Sequence, residues 1–359
     1  MLVDDLNRVI TNNELGNIAQ RHRGGIAMNL NRRKVVQWAA AGLVGAAFPA
    51  PALAQSREKL RFLFDFSPWG YHAATHLAAQ KGWFNDAGLD VEFLDGRGSA
   101  YSIQVTASGQ ADIASAQLGP MAIARENKLP LTSIAGWVRK TDLAVLVPAD
   151  SPISTVADLK GKKISCFSSS PWLPYIDPFL RAGKLSRDDV SITMVAPDAL
   201  VSVYVAGTVD AVMTTAPFGL PLLTASKPSK PILAADYGIA FPSYGLVALE
   251  ETVKNKASAL SAFAKVQQKA WIYTYDGHTD EAVDAIIAMR PDVRLNRANL
   301  KGQLEAYRAF FDSKRTAGRA YGLQAKEDWD DALTLMEAAK VVKPGWKAEQ
   351  YFTNALLEG

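Results

Sequence analysis

The chain has 359 residues, of which 39 are Lys or Arg and 36 are Asp or Glu. Residues 1–54 hold six of the basic and three of the acidic side chains, so residues 55–359 carry 33 of each. This balance offers no basic surface for a nucleic acid or an anionic membrane. Cys166 is the only cysteine, which excludes an internal disulfide and indicates a buried, unreactive thiol.

The first predicted element is an export leader that ends near Ala54. Arg32 and Arg33 precede an apolar segment at 35–48, and the small-x-small sequence Ala-Leu-Ala at 52–54 provides a cleavage point. Paired arginines before a moderately apolar segment favour the twin-arginine route. A surface helix or a membrane anchor is the alternative, but about 14 apolar residues fall short of the roughly 20 that span a bilayer. We therefore expect a start at Met28, export by the twin-arginine translocase and a periplasmic product.

Alternating strands and helices follow from about residue 59. Glycines that end helices and prolines that open them mark the boundaries. The first set comprises a strand at 60–64, a helix at 73–87, a strand at 91–94, a helix from Ser99, a strand at 112–116, a helix opened by Pro120 and a strand at 131–137. The second set repeats this order with strands at 163–166, 190–195 and 210–214 and helices at 173–182, 198–206 and from Pro217.

The sharpest internal match pairs Gly109-x-x-Asp112 with Gly207-x-x-Asp210, 98 positions later. A repeated order of strands and helices predicts two lobes, each a parallel-type sheet with helices on its faces. A single α/β domain without a repeat is the alternative. Because ligands bind beyond the carboxyl ends of such strands, two facing lobes share one cleft.

The chain is expected to cross between the lobes twice. Apolar residues at 143–148 and 246–249 are the predicted crossing strands, and the pattern after residue 250 is mostly helical. We expect these C-terminal helices to pack on lobe one. The predicted organisation is a leader at 1–54, lobe one at 55–147, lobe two at 148–241, and the return to lobe one with the C-terminal helices at 242–359.

Several motifs of this sequence resemble one family. They are Phe-Ser-Pro-Trp at 66–69, Ala-Gln-Lys-Gly-Trp-Phe at 79–84, Ala-Gly-Leu-Asp-Val at 87–91, Gly98-Ser99, Gly109-x-x-Asp112, Asp-Leu-Lys-Gly-Lys-Lys-Ile at 158–164 and Gly207-x-x-Asp210. In this order they resemble the periplasmic binding proteins that serve ABC importers of alkanesulfonates, taurine, nitrate and thiamine pyrimidines. The likeness runs from about residue 60 to about 248 and is weaker in the C-terminal helices.

The resemblance implies an α/β protein with the two-lobe, type II periplasmic binding protein fold. Each lobe would be a sheet flanked by helices, with the ligand in the cleft between them. It also implies hinge closure around a small molecule and delivery to an ABC permease with its ATPase. The sequence favours a free periplasmic protein over a tethered one, because no cysteine for lipid attachment lies near residue 54. We also expect the protein to be a monomer.

The loops after the predicted strands supply the candidate ligand-binding residues. Aromatic faces stack on flat ligands, hydroxyl and amide groups orient them, and the start of a helix favours an acceptor group. The candidates are Ser67, Trp69, His72, Gly98, Ser99, Gln117, Leu118, Ser168, Ser170, Trp172, Thr214, Thr215 and Tyr244, with Phe218 as a further aromatic. These loops carry few fixed charges, although Arg97 stands beside Gly98. The balance favours a planar heteroaromatic ligand, such as a thiamine-type pyrimidine, over a small anion.

No catalytic, metal or cofactor site is expected. His72 and His76 share a helical spacing, but no carboxylate or cysteine stands at a metal-site spacing from them. Gly96-x-Gly98 lacks the third glycine of a dinucleotide fingerprint. The alternatives are a sulfonate, taurine, nitrate or aromatic-acid binder, a solute sensor for a membrane receptor, and a pyrimidine-forming enzyme of thiamine biosynthesis. Such enzymes resemble this family in fold but carry a cysteine-rich segment and work inside cells.

Overall fold

A computed structural model describes residues 57–358. The predicted leader, its start at Met28 and its cleavage near Ala54 lie outside these residues. The described part contains two five-stranded sheets. Within it, no helix has the length and apolarity needed to cross a membrane.

The strands and helices are numbered in chain order. The strands are β1 Glu58–Leu63, β2 Leu89–Leu94, β3 Ile113–Gln117, β4 Leu131–Gly136, β5 Leu143–Pro148, β6 Lys163–Cys166, β7 Ser191–Met194, β8 Ala211–Thr215, β9 Ser229–Leu233 and β10 Tyr244–Leu249. The helices are α1 Ala73–Gln80, α2 Trp83–Asp86, α3 Ser99–Ala107, α4 Leu118–Glu126, α5 Ile176–Ala182, α6 Leu200–Val205, α7 Ala216–Leu223, α8 Glu250–Asn255, α9 Ala257–Tyr275, α10 Thr279–Met289, α11 Arg297–Tyr307, α12 Lys326–Ala338 and α13 Ala355–Glu358.

The two sheets have equivalent topologies. The strand order is β2-β1-β3-β10-β4 in the first and β7-β6-β8-β5-β9 in the second. In each sheet the first three strands are parallel, while one strand is antiparallel to both of its neighbours. That strand, β5 or β10, is the one that the chain forms directly after it crosses between lobes. The sheets are therefore mixed rather than purely parallel.

The crossings lie at residues 137–142 and 240–243. Strand β5 pairs with β8 and β9, so residues 143–147 belong to the second sheet although the predicted boundary placed them in lobe one. The two crossings run side by side, since Ser243 N donates to Val138 O at 2.8 Å and Thr141 Oγ1 donates to Phe241 O at 2.8 Å. We use lobe one for residues 57–136 and 244–358 and lobe two for residues 143–239.

The matched Gly-x-x-Asp motifs form matched structures. Gly109 and Gly207 both adopt left-handed backbone conformations, with φ of 74° and 75°. Asp112 Oδ2 accepts a hydrogen bond from Arg61 N, and Asp210 Oδ2 accepts one from Lys163 N, each at 2.8 Å. In each lobe, the carboxylate before the third strand thus accepts a backbone hydrogen bond from the first strand, from Arg61 within β1 and from Lys163 at the start of β6.

The C-terminal helices do more than cover lobe one. Phe263 of α9 and Ile286 of α10 lie in the hydrophobic cluster of lobe one, as expected. Helix α11 also contacts lobe two, because Gln303 Nε2 donates to Phe218 O at 3.1 Å. Met336 of α12 lies in one hydrophobic cluster with Phe179 of lobe two. The last helices therefore contact both lobes on the side where the chain crosses.

Candidate functional site

A cleft lies between the lobes, beyond the carboxyl ends of strands from both sheets, and encloses about 450 Å³ of empty space that includes its opening to solvent. Lobe one contributes the turn after β1, the start of α3 and the start of β10. Lobe two contributes the loop after β6, the end of β8 and the starts of α6 and α7. The lining residues are Asp65, Phe66, Trp69, Gly98, Ser99, Phe167, Ser170, Pro171, Leu200, Thr214, Thr215, Phe218 and Tyr244.

Aromatic rings from both lobes line much of the cleft. Trp69 packs edge-on against Phe218, with ring centroids 5.3 Å apart, and contacts Tyr244 at 6.0 Å. Phe66 lies 5.9 Å from Phe167 of the opposite lobe. Trp69 Nε1 is buried and has no hydrogen-bond partner among the described residues. The cleft thus offers flat apolar faces, and one of the residues that line it, Trp69, has a buried indole N–H without a partner among the described residues.

Asp65 is the only charged side chain among the described residues that line the cleft. It follows β1 and is 3% exposed. His72 Nε2 donates to its Oδ1 at 2.7 Å. No other side chain within residues 57–358 hydrogen-bonds to this carboxylate. The cleft therefore contains a fixed acceptor to which one side chain of the described residues donates.

A second carboxylate, Asp142, lies behind the cleft in the first crossing. Its Oδ1 accepts from Ser243 Oγ at 2.6 Å and from Gln117 Nε2 at 3.1 Å, while Oδ2 accepts from Tyr307 OH at 2.6 Å. Burial raises the pKa of Asp142 to about 6, against the hydrogen bonds from Ser243 and Tyr307, which lower it. Tyr307 OH also lies 3.3 Å from Thr215 Oγ1 in the cleft wall. This network connects both crossings, lobe one and lobe two.

Seven of the thirteen candidate residues meet in this cleft: Trp69, Gly98, Ser99, Ser170, Thr214, Thr215 and Tyr244. Phe218 joins them. Gly98 N already donates to Asp65 O at 2.7 Å. Ser99 Oγ accepts from Gln117 N at 3.1 Å. These two polar groups at the start of α3 therefore already have hydrogen-bond partners within lobe one.

The other six candidates do not line the cleft. Ser67 and Ser168 are exposed. His72 and Gln117 lie behind it, where they hydrogen-bond to Asp65 and Asp142. Leu118 and Trp172 belong to the core, and Trp172 Nε1 donates to Thr214 O at 2.7 Å. Arg97 is exposed, with its guanidinium 6.0 Å from the Tyr101 ring centroid.

Sequence reasoning missed five lining residues: Asp65, Phe66, Phe167, Pro171 and Leu200. Asp65 and Phe167 directly follow the predicted first strands of the two lobes, so the strand-end rule alone identifies them. In the sequence, no carboxylate stands at a metal-site spacing from His72. Asp65 instead reaches His72 across the turn after β1.

His76, the second histidine of the pair noted in the sequence, hydrogen-bonds within its own helical turn. His76 Nδ1 donates to His72 O at 2.9 Å. Burial lowers the pKa of His76 to about 4, so the ring is neutral at physiological pH. Within residues 57–358 no group of three His, Cys, Asp or Glu side chains is arranged to hold a metal ion.

Comparison with known proteins identifies one family. The NMT1/THI5-like family model matches residues 69–310. The chain is 23% identical to a formylaminopyrimidine-binding protein of Halalkalibacterium halodurans, over 84% of this chain and 91% of that protein. It is 28% identical to a putative thiamine biosynthesis protein of Haemophilus influenzae, over 83% and 96%. A shorter match, 31% identical, covers 38% of this chain and 37% of the 4-amino-5-hydroxymethyl-2-methylpyrimidine phosphate synthase THI5 of Saccharomyces cerevisiae.

Solved structures share the two-lobe architecture. The alkanesulfonate-binding protein SsuA from Xanthomonas axonopodis, bound to MOPS, superposes with a TM-score of 0.63 at 15% identity, over 83% of this chain and 99% of that one. The periplasmic nitrate-binding protein NrtA from Synechocystis gives a TM-score of 0.60 at 14% identity, over 84% and 87%. These likenesses confirm the predicted periplasmic binding protein fold.

Proposed function

Because this chain belongs to the NMT1/THI5-like family, we propose that it is the solute-binding component of an ABC importer and binds a planar heteroaromatic ligand such as a thiamine-type pyrimidine. The observation that carries the proposal is the lining of the cleft. Five aromatic side chains surround a single charged group, the carboxylate of Asp65. Flat rings stack on such faces, and a carboxylate accepts hydrogen bonds from amino or ring N–H groups.

The charge of Asp65 argues against the alternative anionic ligands. A buried carboxylate repels a sulfonate, nitrate or aromatic acid placed beside it, and a low-dielectric cleft strengthens that repulsion. An aminopyrimidine presents donors to Asp65 and ring-nitrogen acceptors to the unpartnered Trp69 Nε1. The pyrimidine named in the H. halodurans relative supports the same class.

A binding role is supported by the formylaminopyrimidine-binding relative, which matches 84% of this chain. The sulfonate-binding and nitrate-binding structures support a periplasmic location. An ABC permease and its ATPase are the proposed partners, and the protein acts as a monomer. Export by the twin-arginine route remains a prediction from the sequence, because residues 1–54 lie outside the described structure. The enzyme alternative rests on a match to only 37% of the yeast synthase.

The test is a binding panel with the wild type and Asp65→Asn. Isothermal calorimetry would compare 4-amino-5-hydroxymethyl-2-methylpyrimidine and formylaminopyrimidine with taurine, MOPS and nitrate. We expect pyrimidine binding in the wild type, weakened about tenfold or more in D65N, because hydrogen bonds to charged groups contribute about 1.5–3 kcal/mol. Asn keeps the size of the side chain and removes its charge.

Asp90→Asn is the matched control, since Asp90 is an exposed lobe-one aspartate at the opposite end of the first sheet. It should bind like the wild type. Binding of taurine, MOPS or nitrate by the wild type, with no response to either pyrimidine, would reject the proposed ligand class. Conversion of a supplied precursor to a pyrimidine product would favour the enzyme.

A further inference from the structure

The lobes contact each other directly at the mouth of the cleft, through Ser169 of lobe two and the start of α3 in lobe one. Ala100 N donates to Ser169 O at 3.4 Å. Ser169 Oγ donates to Arg97 O. One residue of lobe two thus makes two hydrogen bonds to the backbone of lobe one.

The first N–H groups of an α-helix have no partner within the helix. Ser169 O satisfies one of them at the start of α3, the N–H of Ala100. A cleft that binds an anion at a helix start leaves such groups for the ligand. Here an atom of the opposite lobe occupies that position.

Gly98 makes this approach possible. Its φ is +115°, a conformation that side chains with a Cβ rarely adopt. A Cβ at this position would lie 2.5 Å from Ser169 O and 2.7 Å from Ser169 Oγ. It would also lie 2.9 Å from the Phe167 ring. Any larger residue at position 98 therefore pushes the Ser169 loop away.

We propose that Ser169 and Gly98 form an interlobe latch that caps α3 in the closed form and gives the ligand-free protein a populated closed state. Every bond of the latch joins protein atoms, so it needs no ligand. The latch depends on the two-lobe fold and not on the proposed ligand. It also takes the Ala100 N–H away from any anionic group in the cleft, in keeping with a pyrimidine-type ligand.

Interlobe distances in the ligand-free protein test the latch. Spin labels at Gln104→Cys on α3 and Ala206→Cys after α6 occupy exposed positions on opposite lobes, while Cys166 is buried. Pulsed electron–electron double resonance between the two spin labels should show a population with a short interlobe distance in the protein that carries no other substitution. Gly98→Ala should lose most of that population.

Gly109→Ala is the matched control for backbone strain. Gly109 follows the same helix and has a positive φ of 74°, but a Cβ there would have nothing within 4 Å. It should keep the short-distance population. Ser169→Ala removes the hydroxyl bond and keeps the carbonyl, so its loss should be smaller than that of G98A. Ser168→Ala, on the exposed neighbour, should match the unchanged protein.

Three outcomes would overturn the latch. They are a single long distance in the ligand-free protein, equal distributions in G98A and the unchanged protein, and equal losses in G98A and G109A. If G98A fails to fold, S169A against S168A decides the question alone. Failure of the proposed ligand class would appear in the calorimetric panel and would leave these distances unchanged.

Discussion

Asp142 is a buried carboxylate at the point where the chain first passes between lobes. It holds Ser243 of the second crossing, Gln117 at the end of β3 and Tyr307 at the end of α11. Three hydrogen bonds do not fully replace the water that the carboxylate loses on burial. Its pKa therefore rises from 3.8 to about 6.

This shift predicts how stability depends on pH. Between about pH 4 and pH 6 the folded protein holds a proton that the unfolded chain releases, so the contribution of Asp142 is fully present below pH 4 and is lost as the pH rises through about 6. The loss is up to about 3 kcal/mol, at roughly 1.4 kcal/mol per pKa unit. Asp142→Asn removes this titration. The free energy of unfolding of D142N, relative to that of the wild type, should therefore rise between pH 4 and pH 7. Urea denaturation at both pH values measures the difference.

Other carboxyl groups titrate in the same range, so the difference between the two proteins is the readout. Asp90→Asn, an exposed substitution, should follow the wild type at both pH values. Parallel pH profiles for D142N and the wild type would contradict the raised pKa of Asp142.

At the scale of elements, each lobe fixes its first strand through the carboxylate that directly precedes its third strand. Asp112 is 8% exposed and also contacts Lys256 Nζ at 3.1 Å, whereas Asp210 is exposed. Loss of the acceptor leaves a backbone N–H unpaired. The penalty is larger where water cannot replace the carboxylate.

We therefore expect Asp112→Ala to lower the free energy of unfolding by about 1–3 kcal/mol and Asp210→Ala by less than about 1 kcal/mol. Urea denaturation at neutral pH measures both values. Asp112→Asn and Asp210→Asn keep an acceptor oxygen and should cost less than the corresponding alanine variants. A larger cost for D210A than for D112A would show that burial does not decide the effect.

These elements also show which features of the fold could be predicted. Gly109 and Gly207 end helices through a local left-handed turn, so their sequence context identified the strands that follow. The predicted helix at 73–87 divides at Gly82, whose φ of 74° ends α1 and separates it from α2. Strand β9 and the antiparallel place of β5 depend on pairing between distant segments, which local patterns do not encode.

The candidate site was also predicted only in part from the sequence. The strand-end rule located the loops of the cleft, because it depends on topology alone. It did not tell inward from outward side chains within a loop. Ser67 and Ser168 therefore point to solvent, while their neighbours Phe66 and Phe167 line the cleft.

At the scale of the whole molecule, the two lobes share part of one hydrophobic core. One buried cluster contains Met121 and Val247 of lobe one together with Ile164 and Phe179 of lobe two. Trp329 of α12 belongs to the same cluster. Closure must therefore occur around this shared side, which keeps its contacts while the mouth opens.

A shared core couples the lobes on unfolding, so we expect a single cooperative transition. Phe179→Leu in the shared cluster and Phe263→Leu in the cluster of lobe one should each cost about 1–2 kcal/mol as core substitutions. Each should lower the urea midpoint of both lobes equally. Hydrogen exchange of peptides from β1 and β6, followed by mass spectrometry across the urea range, reports the two lobes separately. Earlier exposure of β6 than of β1 in F179L would mean that the lobes unfold independently, and that the bridging contacts of α11 and α12 are too weak to couple them.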